Sequence, residues 1–70
     1  MKLSTRNQVT GTIIEVQPGA VMATVKIRLD GGDQVLTASI TKDAAEELEL
    51  KEGQPATAFI KSTEISIGVD

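Results

Sequence analysis

The sequence predicts an all-β domain with one short helix. Three observations carry the prediction. Apolar and polar residues alternate without a break from Val21 to Leu29. β-Branched residues gather in short runs, and turns containing Gly or Pro separate those runs. Only the segment from Thr41 to Leu48 changes to a helical period.

The elements follow in chain order. Met1 to Gln8 is polar and shows no clear period. Val9 to Val16, rich in Val, Ile and Thr, reads as the first strand. Counting by twos puts Val9 and Ile13 on one face and Ile14 and Val16 on the other. Apolar residues on both faces of so small a domain suggest that one face meets another protomer. Pro18-Gly19 marks a turn. In the second strand Val21, Ala23, Val25, Ile27 and Leu29 face one way, and Met22, Thr24, Lys26 and Arg28 the other. Asp30-Gly31-Gly32-Asp33 reads as a tight hairpin, because Gly accepts the positive φ such turns need. A third strand runs from about Gln34 to Ile40, with Leu36, Ala38 and Ile40 on one face. The helix follows, with Ala44, Ala45 and Leu48 on a shared face. Either Thr41 or Asp43 can cap it, and Asp43 with Glu46 has the capping-box spacing. Leu50 to Gly53 turns the chain, and strands at about Pro55–Lys61 and Ile65–Val69 complete it. Five short strands with a helix between the third and fourth fit a five-stranded OB-like barrel in a single domain, residues 1–70.

Composition excludes several function classes. His and Cys are both absent, which removes disulfides, the commonest general base, the strongest nucleophile and most zinc sites. No catalytic residue and no metal ligand is therefore assigned, and no enzyme is expected. Glu46, Glu47, Glu49 and Glu52 read as a solvated acidic face, and Asp30 and Asp33 as turn residues. The net charge is −3 and Phe59 is the one aromatic residue. Nucleic acid and anionic membranes select basic surfaces, and single strands also need several aromatic platforms, so neither is an expected partner. With no signal-peptide pattern and no apolar run of spanning length, the expectation is a soluble, cytoplasmic protein. A chain of 70 residues has a small core. Without disulfides or a structural metal, association with further copies is the remaining reinforcement.

Three polar groups stand out: Ser4-Thr5-Arg6-Asn7-Gln8, Thr41-Lys42 and Lys61-Ser62-Thr63, each joining a cation to hydroxyls. In extended chain Ser4 and Arg6 project from the same side. With Gly19-Ala20-Val21-Met22, Ile40-Thr41-Lys42-Asp43, Leu50-Lys51-Glu52-Gly53 and Ala58 to Glu64, in this order and at these distances, the chain resembles the molbindins. These are also called molybdenum–pterin-binding proteins, and they share a domain with molybdate transporter ATPases and molybdate-responsive regulators. The resembling segments span essentially the whole chain.

The resemblance implies an OB-like barrel assembled as a homohexamer, a trimer of dimers, that holds a tetrahedral oxyanion, molybdate or tungstate, between protomers. Carried over by position, Ser4, Arg6 and Asn7 match the N-terminal anion-binding segment, and Lys61 and Ser62 the C-terminal one. Thr41 matches a ligand that a neighbouring protomer supplies in related proteins. Many relatives carry Ser where this chain has Ala44, so a backbone N–H at the helix start is the substitute donor. A second oxyanion site, near the three-fold axis in the family, would involve Gly19, Ala20, Val21 and Met22. No cofactor is implied, and molybdenum or tungsten enters only as the oxyanion. The expected function is storage or buffering of these anions. The rival reading is an assembly module whose polar groups only bond protomers together. Nothing resembles a pterin pocket, because no aromatic platform exists beyond Phe59.

Overall fold

A computed structural model describes residues 2–70. Its strands are β1 (Asn7–Pro18), β2 (Met22–Leu29), β3 (Val35–Thr41) and β4 (Pro55–Ile60), with helix α1 (Lys42–Glu47) between β3 and β4 and a 3₁₀ turn at Ser62–Glu64. The four strands form one antiparallel sheet in the order β3-β2-β1-β4. Strand β1 is the long central element, zipped to β2 along one side and to β4 along the other.

The alternation in β2 does what it predicts. Ala23, Val25 and Ile27 are buried, and the intervening residues are more exposed. Ile13, Val25 and Ile27 form the core, with Leu29, Ile40, Leu50, Ala56 and Ala58 packed around them. Gly11 sits where β1 meets both neighbours. A Cβ there would strike the carbonyl oxygen of Arg28 and lie 2.7 Å from Ile27 Cγ2, so the closeness of β1 and β2 requires glycine at this point.

Counting by twos fails at one place in β1. Ile13 lies opposite Ile27 and Glu15 opposite Lys26, so Ile14 is an extra residue in a β-bulge. The bulge reverses the parity of everything after it. Val16 therefore packs against the same core as Ile13, and the reading of two separately buried faces on this strand is corrected. Glu15 and Lys26 face each other beyond the bulge, 3.9 Å apart.

The turns and helix obey local chemistry. Gly31 has φ +85° in the β2–β3 hairpin, and Asp30 is held there by Thr10 Oγ1, which donates to its carboxylate at 2.9 Å. Thr41, not Asp43, caps α1: its Oγ1 accepts from the Ala44 N–H at 3.1 Å. The helix ends in a Schellman pattern, with Glu49 N–H bonded to Glu46 O at 3.0 Å and Leu50 N–H to Ala45 O at 3.1 Å. The left-handed position of that motif is filled by Glu49 at φ 52°, where glycine would be unstrained.

The expected fifth strand is not found. Ile65–Asp70 pairs with nothing in the protomer, so the described residues form four strands and a curled, open sheet with an OB-like outline. The physical reason lies just upstream. The 3₁₀ turn follows β4 almost directly, closed by Glu64 N–H to Lys61 O at 2.9 Å, and it directs the chain off the sheet. Ile67 and Val69 are 85% and 91% exposed. Strands β3 and β4 are left as edges, with an apolar hollow of about 580 Å³ lined by both.

Candidate functional site

The pairing of β1 with β4 builds the site. Asn7 lies opposite Ile60, so the residues just before β1 and just after β4 are brought side by side. Between them is a groove of about 280 Å³ lined by Ser4, Thr5, Arg6, Lys61, Ser62 and Thr63. Two of the three cation–hydroxyl groups singled out in the sequence, far apart along the chain, thus share one cleft.

Local bonds shape both walls. Gln8 Nε2 donates to Thr5 O at 3.0 Å and bends the N-terminal segment over the sheet. The 3₁₀ turn holds Ser62 and Thr63 in place on the opposite wall. Asn7 clamps the walls together: its Nδ2 donates to Ile60 O at 3.1 Å and, more weakly, to Ser62 Oγ at 3.5 Å. Asn7 is therefore a bracing residue and does not line the groove itself. Ser62 accepts that bond with a lone pair, which leaves its O–H free to donate.

The chemistry of the lining is one-sided. Four hydroxyls, a guanidinium and an ammonium all donate, and no carboxylate contributes. Among the described residues the ion pair is Lys26 with Glu15, on another part of the sheet, so Arg6 and Lys61 meet no acidic partner. The groove suits a compact anion without protons to share. Its lining is largely exposed, so one protomer encloses such a guest on one side only.

Thr41 lies elsewhere. It ends β3, the edge strand opposite β4, and pairs with Met22. Its hydroxyl oxygen is engaged as the helix cap but keeps a proton to donate. The β1–β2 corner is beside it: Lys42 N–H bonds to Val21 O at 2.8 Å, and Gly19 N–H bonds to Met22 O at 2.7 Å across the corner. The structure thus groups Thr41 with Gly19, Ala20, Val21 and Met22, and not with the Ser4–Lys61 groove of its own protomer. Gly19 is needed there, since a Cβ would come within 2.9 Å of Met22 O. Two N–H groups at the start of α1, those of Lys42 and Ala44, are already bonded, to Val21 O and Thr41 Oγ1, so neither is free as the substitute backbone donor expected at the helix start.

Thr5 and Thr63 line the groove although the sequence reading did not single them out as ligands. The signal was their place inside the two polar segments. The alternation of an extended chain puts Ser4 and Arg6 on one side and Thr5 on the other, whereas all three line the groove.

The family model of the TOBE domain matches residues 3–67. The chain is 45% identical over 67 residues to molybdenum-pterin-binding protein 3 of Clostridium pasteurianum, covering 96% of this chain and 97% of that one. It is 40% identical over 70 residues to a probable molybdenum-pterin-binding protein of Haemophilus influenzae, covering the full length of both. Its fold matches the structure of a molybdate-binding protein from Sporomusa ovata with a TM-score of 0.88, at 36% identity over 99% of this chain and 100% of that one. With its whole length matched end to end by such relatives, the chain belongs to the molbindin family of TOBE-domain proteins.

Proposed function

We propose that this protein binds molybdate or tungstate in the Ser4–Lys61 groove, stores or buffers it in the cytoplasm, and catalyses no reaction. The observation that carries the reading is the lining itself: two cations and four hydroxyls with no carboxylate among them. A tetrahedral dianion offers oxygens that accept and nothing that donates, and these residues match it. The names of the relatives, molybdenum-pterin-binding and molybdate-binding, support the same choice of anion.

In this reading Arg6 and Lys61 supply the charge-assisted bonds, and Ser4 and Ser62 complete the hydrogen bonding, with Thr5 and Thr63 beside them. Each charge-assisted bond contributes about 1.5–3 kcal/mol where water is excluded. The protein's net charge of −3 does not forbid an anion, because salt screens charges beyond a Debye length of about 8 Å. The open side of the groove is covered by a neighbouring protomer of a homo-oligomer, a hexamer built as a trimer of dimers. That neighbour brings Thr41, which its own chain places on the far edge of the sheet. Covering the site lowers the effective dielectric, strengthens the bonds and links binding to assembly. Selectivity against sulfate, which has the same charge and shape, rests on cavity size.

Calorimetric titration with molybdate, tungstate and sulfate under equal ionic strength tests this. Saturable binding of the first two, with sulfate much weaker, is expected; equal affinity for sulfate, or no uptake of any anion, overturns it. Native mass spectrometry separates this function from a pure assembly module, since storage requires discrete added oxyanions on each oligomer.

A further inference from the structure

We infer that Asp30 is a site of spontaneous isoaspartyl formation, and that the hydroxyl and carbonyl of Thr10 hold the reaction in check. The inference stands apart from the anion-binding function proposed above, because the β2–β3 hairpin contributes nothing to the Ser4–Lys61 groove.

The chemistry begins in the sequence. Asp30 is followed by Gly31, whereas Asp33 precedes Gln34, Asp43 precedes Ala44 and Asn7 precedes Gln8. In an Asp-Gly pair the Gly amide nitrogen attacks Cγ, the carboxyl carbon of the Asp side chain. An N–Cγ bond forms and one C–O bond of the protonated carboxyl group breaks. The amide proton and the departing hydroxyl leave together as water, and a five-membered succinimide ring remains. Water then opens the ring on either side. Breaking the new N–Cγ bond restores aspartate. Breaking the original peptide bond instead leaves the main chain running through Cγ, as isoaspartate. Water is the one co-reactant. A side chain on the following residue crowds the attack, so the Asp33 and Asp43 bonds are the slower ones.

The fold leaves the pair open. Residues 30–34 are exposed, and a Cβ placed on Gly31 or Gly32 would meet no atom within 4 Å, so water and base reach this peptide bond. Among the described residues nothing accepts a hydrogen bond from the Gly31 N–H, so the attacking nitrogen is uncommitted. Gly31 sits at φ +85°, and without a side chain it crosses at low cost to the backbone angles that ring closure needs.

Thr10 opposes the attack. Its Oγ1 donates to Asp30 Oδ2 at 2.9 Å, and its carbonyl accepts the Asp30 N–H at 3.1 Å. The first bond anchors the carboxylate to β1, and the second anchors the backbone on which it swings. The anchor is firm, because β1 is the central strand, paired along both sides. Cγ reaches the Gly31 nitrogen only after the bond to Oγ1 is broken. Isomerisation then undoes the hairpin. It adds one carbon to the main chain and shortens the arm that carries the charge. The carboxylate no longer reaches Thr10, and the Leu29 N–H to Gln34 O bond at 2.8 Å loses its register.

The wild-type chain, Thr10→Val and Thr10→Ser are held at neutral pH below their melting temperatures, each folded and in denaturant. Peptides containing residues 30 and 31 are then separated by chromatography from their isomers of equal mass. Val keeps the shape and strand preference of Thr and removes the hydroxyl; Ser keeps the hydroxyl. Loss of that one hydrogen bond predicts conversion about three- to tenfold faster in folded Thr10→Val. Folded Thr10→Ser should stay near the wild-type rate, and in denaturant all three chains should convert alike. Asp33 and Asp43 should stay intact over the same period. Absence of the isomer from folded wild type, once the denatured chain has converted, overturns the site. Equal rates in folded wild type and folded Thr10→Val, or equal acceleration in Thr10→Ser, overturn the role of Thr10. The wild-type chain is also its own test, whether or not Thr10→Val folds. It must convert more slowly folded than denatured, and equal rates mean that nothing restrains Asp30.

Discussion

Replacing Lys61 by Ala takes one of two cations from the groove and leaves the fold with nothing else to lose. No hydrogen bond or ion pair among the described residues depends on its ammonium group, and the backbone of Lys61 still opens the 3₁₀ turn. The same holds for Arg6, whose side chain lies on the opposite wall. A charge-assisted bond of about 1.5–3 kcal/mol corresponds to a loss of roughly 10- to 150-fold in affinity, at 1.4 kcal/mol per decade. The groove is open in a single protomer, so the lower end applies unless the assembly covers it, and at least tenfold is expected for each variant. The double variant should lose on the order of a hundredfold or more, because both bonds converge on one anion. Lys26→Ala is the control: it removes a cation paired with Glu15 on another part of the sheet and should leave affinity unchanged. Calorimetric titration with molybdate reads the effect, and thermal melts of the unliganded variants check that the fold is intact. Unchanged affinity in both Arg6→Ala and Lys61→Ala would refute the assignment of the groove.

Three further substitutions probe the frame around the site. Gly11→Ala drives a methyl group into the Arg28 carbonyl and Ile27 Cγ2, and neither paired strand can retreat cheaply. A loss of about 2–3 kcal/mol is expected, seen as a fall in melting temperature of roughly 10 °C or more. Glu49→Gly relieves the left-handed residue at the end of α1 and should gain about 0.5–1 kcal/mol, measured as a higher denaturation midpoint at unchanged slope. Asn7→Ala removes the clamp between Ile60 and Ser62 and should lower stability by about 1 kcal/mol. The same variant should weaken molybdate binding severalfold without changing the number of sites, because the groove loses its bracing and keeps its donors.

Much of the architecture can be read directly from residue order. The alternation from Ala23 to Leu29 is decisive because one face of β2 is buried and the other is not. Gly31 and Thr41 are legible because a positive φ and a helix cap each call for few residue types. The bulge at Ile14 is not legible: an extra residue in a β-branched run leaves no compositional mark, and its effect, the inward turn of Val16, depends on the partner strand. Ile65–Val69 has the pattern of a strand, yet pattern states only what a segment can pair with. Whether a partner edge lies within reach is a matter of the turn before it. At the site, the polar segments around Arg6 and Lys61 could be picked out, and their union follows from the Asn7–Ile60 register. The inward placement of Thr5 and Thr63, and the bracing role of Asn7, depend on side-chain directions that only the folded walls define.

The register that joins Asn7 to Ile60 spans 53 positions of chain. A growing polypeptide displays Ser4 and Arg6 early, with their counterparts still to be synthesised, and the two walls meet only once β4 has docked on β1. Closing so wide a loop is among the slower steps available to a small domain. The groove is therefore a property of the finished fold. A half-made chain on the ribosome has no means of holding oxyanion, and limited proteolysis that cuts anywhere between β1 and β4 should release whatever the intact molecule has taken up.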